Sequence, residues 1–236
     1  MKLTIIETGY VPEPLRARFK SYPDMFNAMF ARYGAGIKTD FVPVLEGAPL
    51  PDPAGLDGLL ITGSPAGVYD DFAWMNPLRD FIRRAYQART RMVGICFGHQ
   101  IIADALGGDV RKSEKGWGLG RHAYEVVPAR PHFAPGVDSL SIACSHQDQV
   151  IAPPASARVV LRSDFAPNAG LVYDNGAILT FQPHPEFEDD YATALIDLRA
   201  GRVDEDTLAA AHDSMKTPSD SAVLARAISQ FLVAGP

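Results

Sequence analysis

The run Met92-Val93-Gly94-Ile95-Cys96-Phe97-Gly98-His99-Gln100 constrains this chain more than any other. An apolar stretch suited to a buried strand ends in a cysteine with a glycine two residues to either side. Ile101, Ile102, Ala105 and Leu106 follow at helical spacing, and Gly107-Gly108 closes the pattern. A strand, a tight Gly-x-Cys-x-Gly turn and a helix predict a nucleophile elbow. The small neighbours let the backbone bend sharply and push the sulfur out at the strand's C-terminal end. There it sits over a helix N-terminus, whose free N–H groups and dipole favour a thiolate. The plain alternative is an inert core thiol, because free cysteines are often buried. The paired glycines and the strand-to-helix switch argue against it.

The rest of the chain narrows the setting. A formal net charge of −6 gives no support to nucleic-acid binding. Met1–Glu7 is too short and too quickly charged for a signal peptide, and no apolar run approaches the ~18–20 residues of a membrane span. Cys96 and Cys144 can in principle pair, but no disulfide framework is visible, so a reduced, cytoplasmic protein with one reactive thiol is expected. His122, His132 and His212 lack metal-ligand spacing and read as surface histidines, and no metal or cofactor is expected.

Strands are expected at Lys2–Glu7, Ile37–Val42, Leu59–Ile61 and Met92–Ile95, with helices from about Pro23 and over Pro77–Ala88. Short strands alternating with helices imply a parallel sheet covered on both faces. After Gly108, β-like runs at Tyr124–Val127, Ser139–Ala143, Arg158–Leu161, Gly170–Tyr173 and Ile178–Phe181 read as an antiparallel extension. Helical stripes return at Tyr191–Arg199, Asp206–Met215 and Ser221–Val233. The expected class is α/β: an open, mostly parallel sheet flanked by helices on both faces, with an antiparallel extension. One domain over 1–236 is expected, with a helical extension from about residue 189.

A thiolate nucleophile needs a base, and the base needs an orienting group. Gln182-Pro183-His184-Pro185-Glu186 supplies both. The flanking prolines exclude helix, and in an extended segment His184 and Glu186 point to one side. The segment follows Ile178–Phe181 and so lies at a strand end, where α/β sheets gather their sites. A rigid proline turn with a surface histidine is the plain alternative. An oxyanion hole can draw on the Phe97 N–H and on the loop Thr62-Gly63-Ser64-Pro65, where Gly63 allows close backbone approach.

The three motifs, in this order, resemble the class I (triad-type) glutamine amidotransferases, in their stand-alone, GMP-synthetase-like branch, a flavodoxin-like fold. The resemblance spans roughly residues 2–190. It implies that Cys96 attacks the side-chain amide carbon of glutamine, that His184 protonates the leaving ammonia and then activates water, and that Glu186 orients His184. It implies oxyanion contacts from the Ser64 and Phe97 N–H groups beside Gly63, and a substrate contact from Gln100. Ser145-His146-Gln147-Asp148 resembles the family's second substrate loop, which acts mainly through backbone groups. Two departures stand out. Ser64 precedes Pro65 where the family has glycine, and no synthetase domain follows.

Three functions stay open on the sequence. The first is a glutaminase handing ammonia to a separate synthetase subunit. The second is a stand-alone hydrolase of γ-glutamyl peptides. The third is a non-catalytic module of the same fold, against which the intact Cys96, His184 and Glu186 argue. Tyr69, Asp70, Asp71 and Trp74 are candidates for a pocket mouth, although Trp74, like Trp117, reads first as a packing residue. Arg111, Lys112 and Lys115 read as a solvated basic face.

Overall fold

A computed structural model describes residues 1–127 and 136–234. His132 lies outside the described residues. The elements are β1 (Lys2–Glu7), α1 (Tyr22–Tyr33), β2 (Lys38–Pro43), β3 (Gly58–Ile61), α2 (Met75–Gln87), β4 (Met92–Ile95) and α3 (Phe97–Ala105). Next come β5 (Asp109–Lys112), β6 (Gly118–Val126), β7 (Ser139–His146), β8 (Asp148–Ala152), β9 (Ala157–Arg162), β10 (Gly170–Tyr173) and β11 (Ile178–Phe181). Helices α4 (Asp189–Asp197), α5 (Glu205–Ser214) and α6 (Ser221–Val233) follow.

A nine-stranded open sheet runs in the order β2-β1-β3-β4-β11-β10-β9-β6-β7. From β2 to β11 every pair is parallel, and from β11 to β7 every pair is antiparallel. The expected class therefore holds, and β11 joins the two halves. It pairs parallel with β4 over Ile178↔Met92 to Phe181↔Ile95, so the segment after Phe181 leaves the sheet beside Cys96.

Helices cover both faces because both faces of the parallel strands are apolar. Leu3, Ile5, Leu60 and Val93 pack under α1 and α6, while Ile6, Leu59, Ile61 and Met92 pack under α2 and α3. Each fully buried Leu, Ile or Phe stabilises the core by about 1.5–3 kcal/mol. Helix α1 starts where the sequence predicts: Ser21 Oγ accepts the Asp24 N–H, Pro23 sits in the first turn, and Gly34 caps the end. Helices α4 and α5 lie against β6. The buried Arg121 of β6 ties them there through Asp189 and the carbonyl groups of Met215 and Thr217. Among the described residues, no helix is long and apolar enough to cross a membrane.

Two strands escape the sequence reading. β5 and β8 form a separate antiparallel ribbon, Val110↔Val150 to Lys112↔Asp148. Polar residues dominate β5, so it carries no apolar run to find. β6 and β7 are also longer than expected, pairing from Gly118↔His146 to Glu125↔Ser139. Ser145 and His146 thus end a strand rather than lie in a loop, and Gln147 alone carries the chain from β7 into β8. His122 is not on an open surface: its ring meets Phe165 edge-on at 5.1 Å, and burial lowers its pKa. His212 is half-exposed and pairs with Asp197 at 3.2 Å. Trp74 packs edge-on against Phe97 at 5.7 Å, and Trp117 lies under the Arg199 guanidinium at 3.8 Å.

Candidate active site

β4 ends at Ile95 and α3 begins at Phe97, so Cys96 makes the turn alone. Its φ of 54° and ψ of −104° lie in a region that side chains rarely occupy. Three backbone bonds hold it there. The Cys96 N–H donates to the Phe181 carbonyl at 2.8 Å, the Gln100 N–H to the Cys96 carbonyl at 3.0 Å, and the Gly98 N–H to the Thr62 carbonyl at 3.1 Å. The flanking glycines are steric requirements. A Cβ on Gly94 would stand 2.5 Å from the Gly98 carbonyl oxygen, and one on Gly98 would collide with the Ile61 carbonyl oxygen. The Phe97 N–H, first in α3, has no intrahelical partner.

His184 arrives on the segment after β11, anchored by its N–H to the Ala143 carbonyl at 2.9 Å. Its Nδ1–H donates to Glu186 Oε1 at 2.7 Å, with both side chains buried. Burial alone would strip the imidazole's proton. The Glu186 carboxylate and the Cys96 sulfur, which is hydrogen-bonded to His184, outweigh burial and hold the His184 pKa well above its ordinary value. The Phe187 ring stacks on the imidazole at 3.9 Å and 7°. Gly63 faces the same point: a Cβ there would lie 3.0 Å from His184 Cε1 and 3.7 Å from Cys96 Cβ. Cys96, His184, Glu186 and Gly63 thus meet at one place.

Around it, Gln100 Nε2 donates to the Asp148 carbonyl at 2.8 Å and to Gln182 Oε1 at 3.0 Å. His146 Nδ1–H donates to the same Asp148 carbonyl at 3.0 Å. Burial pushes the His146 pKa down to about 3, so it is a neutral ring that anchors backbone rather than a base. The Tyr69 hydroxyl donates to Asp148 Oδ1 at 3.2 Å, linking the loop after β3 to the start of β8. Ser64 lies in that loop, where its Oγ accepts the Ala66 N–H at 3.2 Å. Ser145 and Gln147 flank His146, and the Gln147 carbonyl accepts the Ser113 N–H at 2.9 Å. Arg111 pairs with Asp109, and the Lys115 ammonium bonds the Asp164 carbonyl.

Three neighbours were not singled out from the sequence. Tyr22, at the start of α1, is buried near Cys96 and Glu186, and its hydroxyl accepts from Tyr191 at 3.2 Å. Phe187 and Gln182 flank the histidine motif and touch His184 and Gln100. Only their closeness in sequence to His184 could have flagged them.

The model of the glutamine amidotransferase class-I family matches residues 24–195. Gamma-glutamyl peptidase 2 of Arabidopsis thaliana is 31% identical over 206 residues, 83% of this chain and 82% of that one. The glutamine-hydrolyzing GMP synthase of Aquifex aeolicus is 33% identical over 129 residues, 55% of this chain and 24% of that one. The solved structure of a glutamine amidotransferase from Thermotoga maritima superposes with a TM-score of 0.75 at 20% identity, covering 99% of both chains. That likeness establishes the fold.

Proposed function

We propose, for a chain that belongs to the class I glutamine amidotransferase family, cysteine-dependent hydrolysis of a γ-glutamyl amide bond through a thioester on Cys96. The observation that carries this reading is the convergence of a strained Cys96, a His184 hydrogen-bonded to it, and a Glu186 carboxylate 2.7 Å from the far ring nitrogen. The Cys96 sulfur attacks the γ-carbonyl carbon, and the oxygen takes the charge. As the intermediate collapses, the C–N bond breaks and the His184 Nε2 proton passes to the departing nitrogen. Water, deprotonated by His184, then hydrolyses the thioester to release glutamate and free thiol. Glu186 holds the ring orientation throughout.

The oxyanion donors are the N–H groups of Phe97 and Ser64. The Gly63 carbonyl accepts the hydroxyls of Thr8 at 3.3 Å and Thr62 at 3.1 Å. In a trans peptide the N–H points opposite to the C=O, so this pair of bonds turns the Ser64 N–H away from the core. Ser64 in place of glycine leaves that donor intact. Gln100, with Ser145, His146 and Gln147 as backbone supports, shapes the pocket for the glutamyl part. A reducing, cytoplasmic setting suits Cys96 and Cys144 as free thiols.

Of the two amides, the peptide is favoured over glutamine. The relative named as a γ-glutamyl peptidase matches over most of its length, the GMP synthase over 24% of its own. A glutaminase that supplies a separate synthetase subunit is the second reading, which the GMP synthase match keeps in play. Ammonia and glutamate release from glutamine and from a γ-glutamyl dipeptide, with Cys96→Ala as blank, tests both. Fast peptide cleavage with slow ammonia release is expected. Ammonia release without peptide cleavage establishes the second reading, and turnover surviving in Cys96→Ala removes the thioester altogether.

A further inference from the structure

Two fully buried hydroxyls lie beside the Gly63–Ser64 peptide: Thr8, just past β1, and Thr62, just past β3. The Thr8 N–H donates to Thr62 Oγ1 at 3.0 Å, and the Thr62 hydroxyl donates to the Gly63 carbonyl at 3.1 Å. The Thr8 hydroxyl lies 3.0 Å from the Thr62 carbonyl and 3.3 Å from that of Gly63. The Thr62 carbonyl also accepts the Gly98 N–H, at 3.1 Å, from the first turn of α3. Thr62 is thus bonded both to the peptide that carries the Ser64 N–H and to the turn that carries the Phe97 N–H.

The direction of these bonds is not the one a strand would give. β3 lies between β1 and β4, and residues along such a strand bond to alternate sides. Leu59 bonds toward β4, through the Arg91 carbonyl, and Thr62 toward β1, through the Ile6 carbonyl. A straight continuation would aim the Gly63 carbonyl at β4 and the Ser64 N–H at β1. The opposite is observed. The Gly63 carbonyl faces the exit of β1, where a Cβ on Gly9 would stand 2.7 Å from its oxygen. Across a trans peptide the Ser64 N–H then faces β4, the strand that ends at Cys96.

We infer that Thr8 and Thr62 are positioning residues, whose hydroxyls hold the Gly63–Ser64 peptide reversed so that the Ser64 N–H joins that of Phe97 in the oxyanion hole. The inference rests on the thioester reading above. Without the hydroxyls the peptide returns to the strand direction and presents a carbonyl, not a donor, to the developing negative charge. Formation and hydrolysis of the thioester both pass through that charge. The loss therefore falls on kcat and spares KM.

The test measures kcat and KM on glutamine and on a γ-glutamyl dipeptide, beside the rate at which iodoacetamide alkylates Cys96, a reaction that forms no oxyanion. Thr8→Val and Thr62→Val keep the shape and remove the hydroxyl. Each should lower kcat by about tenfold, and the double variant by about 10²–10³-fold, the range for a lost oxyanion donor. Thr8→Ser and Thr62→Ser keep the hydroxyl and should recover most of the loss. Alkylation should hold at the wild-type rate throughout. If a thermal melt shows the double variant unfolded, Thr8→Val alone decides, because it leaves the Thr62 bond to Gly63 in place. Valine variants as fast as the wild type, serine variants as slow as the valines, a loss carried by KM, or an equal fall in alkylation would each overturn the assignment and leave the thioester reading standing. Turnover surviving in Cys96→Ala overturns the thioester reading itself.

Discussion

Cys96 and His184 reach one point by opposite means. The cysteine is delivered locally, by a strand, one turn residue and a helix, and backbone contact fixes it. Gly94 and Gly98 are bare because carbonyl oxygens occupy the space where side chains would stand. The histidine is delivered by the segment after β11, the neighbour of β4, only once the chain has run through the whole antiparallel half, and side-chain packing fixes its ring: Phe187 on its face, Glu186 on its Nδ1. Geometry built from backbone tolerates no added atom. Geometry built from side chains loosens by degrees.

Three substitutions test that contrast. His184→Asn removes the proposed proton carrier, and turnover should fall by about 10³–10⁴-fold while the melting temperature holds. Steady-state rates beside a thermal melt check both halves. Gly98→Ala forces a methyl group into the Ile61 carbonyl. It should cost about 3 kcal/mol, a fall of roughly 6–12 °C in melting temperature. A variant that melts with the wild type would show that the elbow has slack. Glu186→Gln keeps the shape but not the charge, and kcat should fall by about 10–10²-fold, less than for His184→Asn. The alkaline limb of its pH profile should also move down toward neutrality, because the carboxylate no longer holds the His184 proton.

The smallest effect lies away from both arms. Glu7 ends β1 buried, and burial, with Glu46 and Asp24 nearby, pushes its pKa up to about 7. The folded state prefers the neutral acid while the unfolded chain ionises near pH 4.5. Stability held below that value is therefore lost as the pH climbs from about 4.5 to about 7. Glu7→Gln should match the wild type at pH 4.5 and melt roughly 3 °C higher at pH 8. Parallel melts at the two pH values decide it.

The same contrast explains what the sequence discloses. β1, β4, β10, β11 and α6 lie where apolar runs and stripes place them, because burial on both faces writes itself into consecutive residues. The elbow and the proline-locked His184 segment were legible for the same local reason. β5 and β8 were not, since each side of this separate two-stranded ribbon buries few apolar residues, Val110 and Val150 among them. Nor was the place of Ser145 and His146 on β7, because polar residues at a strand end look like a loop. The bonds of Gln100 to Gln182 and of Tyr69 to Asp148 join distant segments through register, and no single stretch of sequence encodes register.

The φ of 54° at Cys96 has one more consequence. Glycine takes such a conformation freely, so Cys96→Gly should relax the turn and raise the melting temperature while ending all turnover. The catalytically dead protein would then outlast the working one. A search for heat-resistant variants would discard the proposed nucleophile unless activity were selected alongside it.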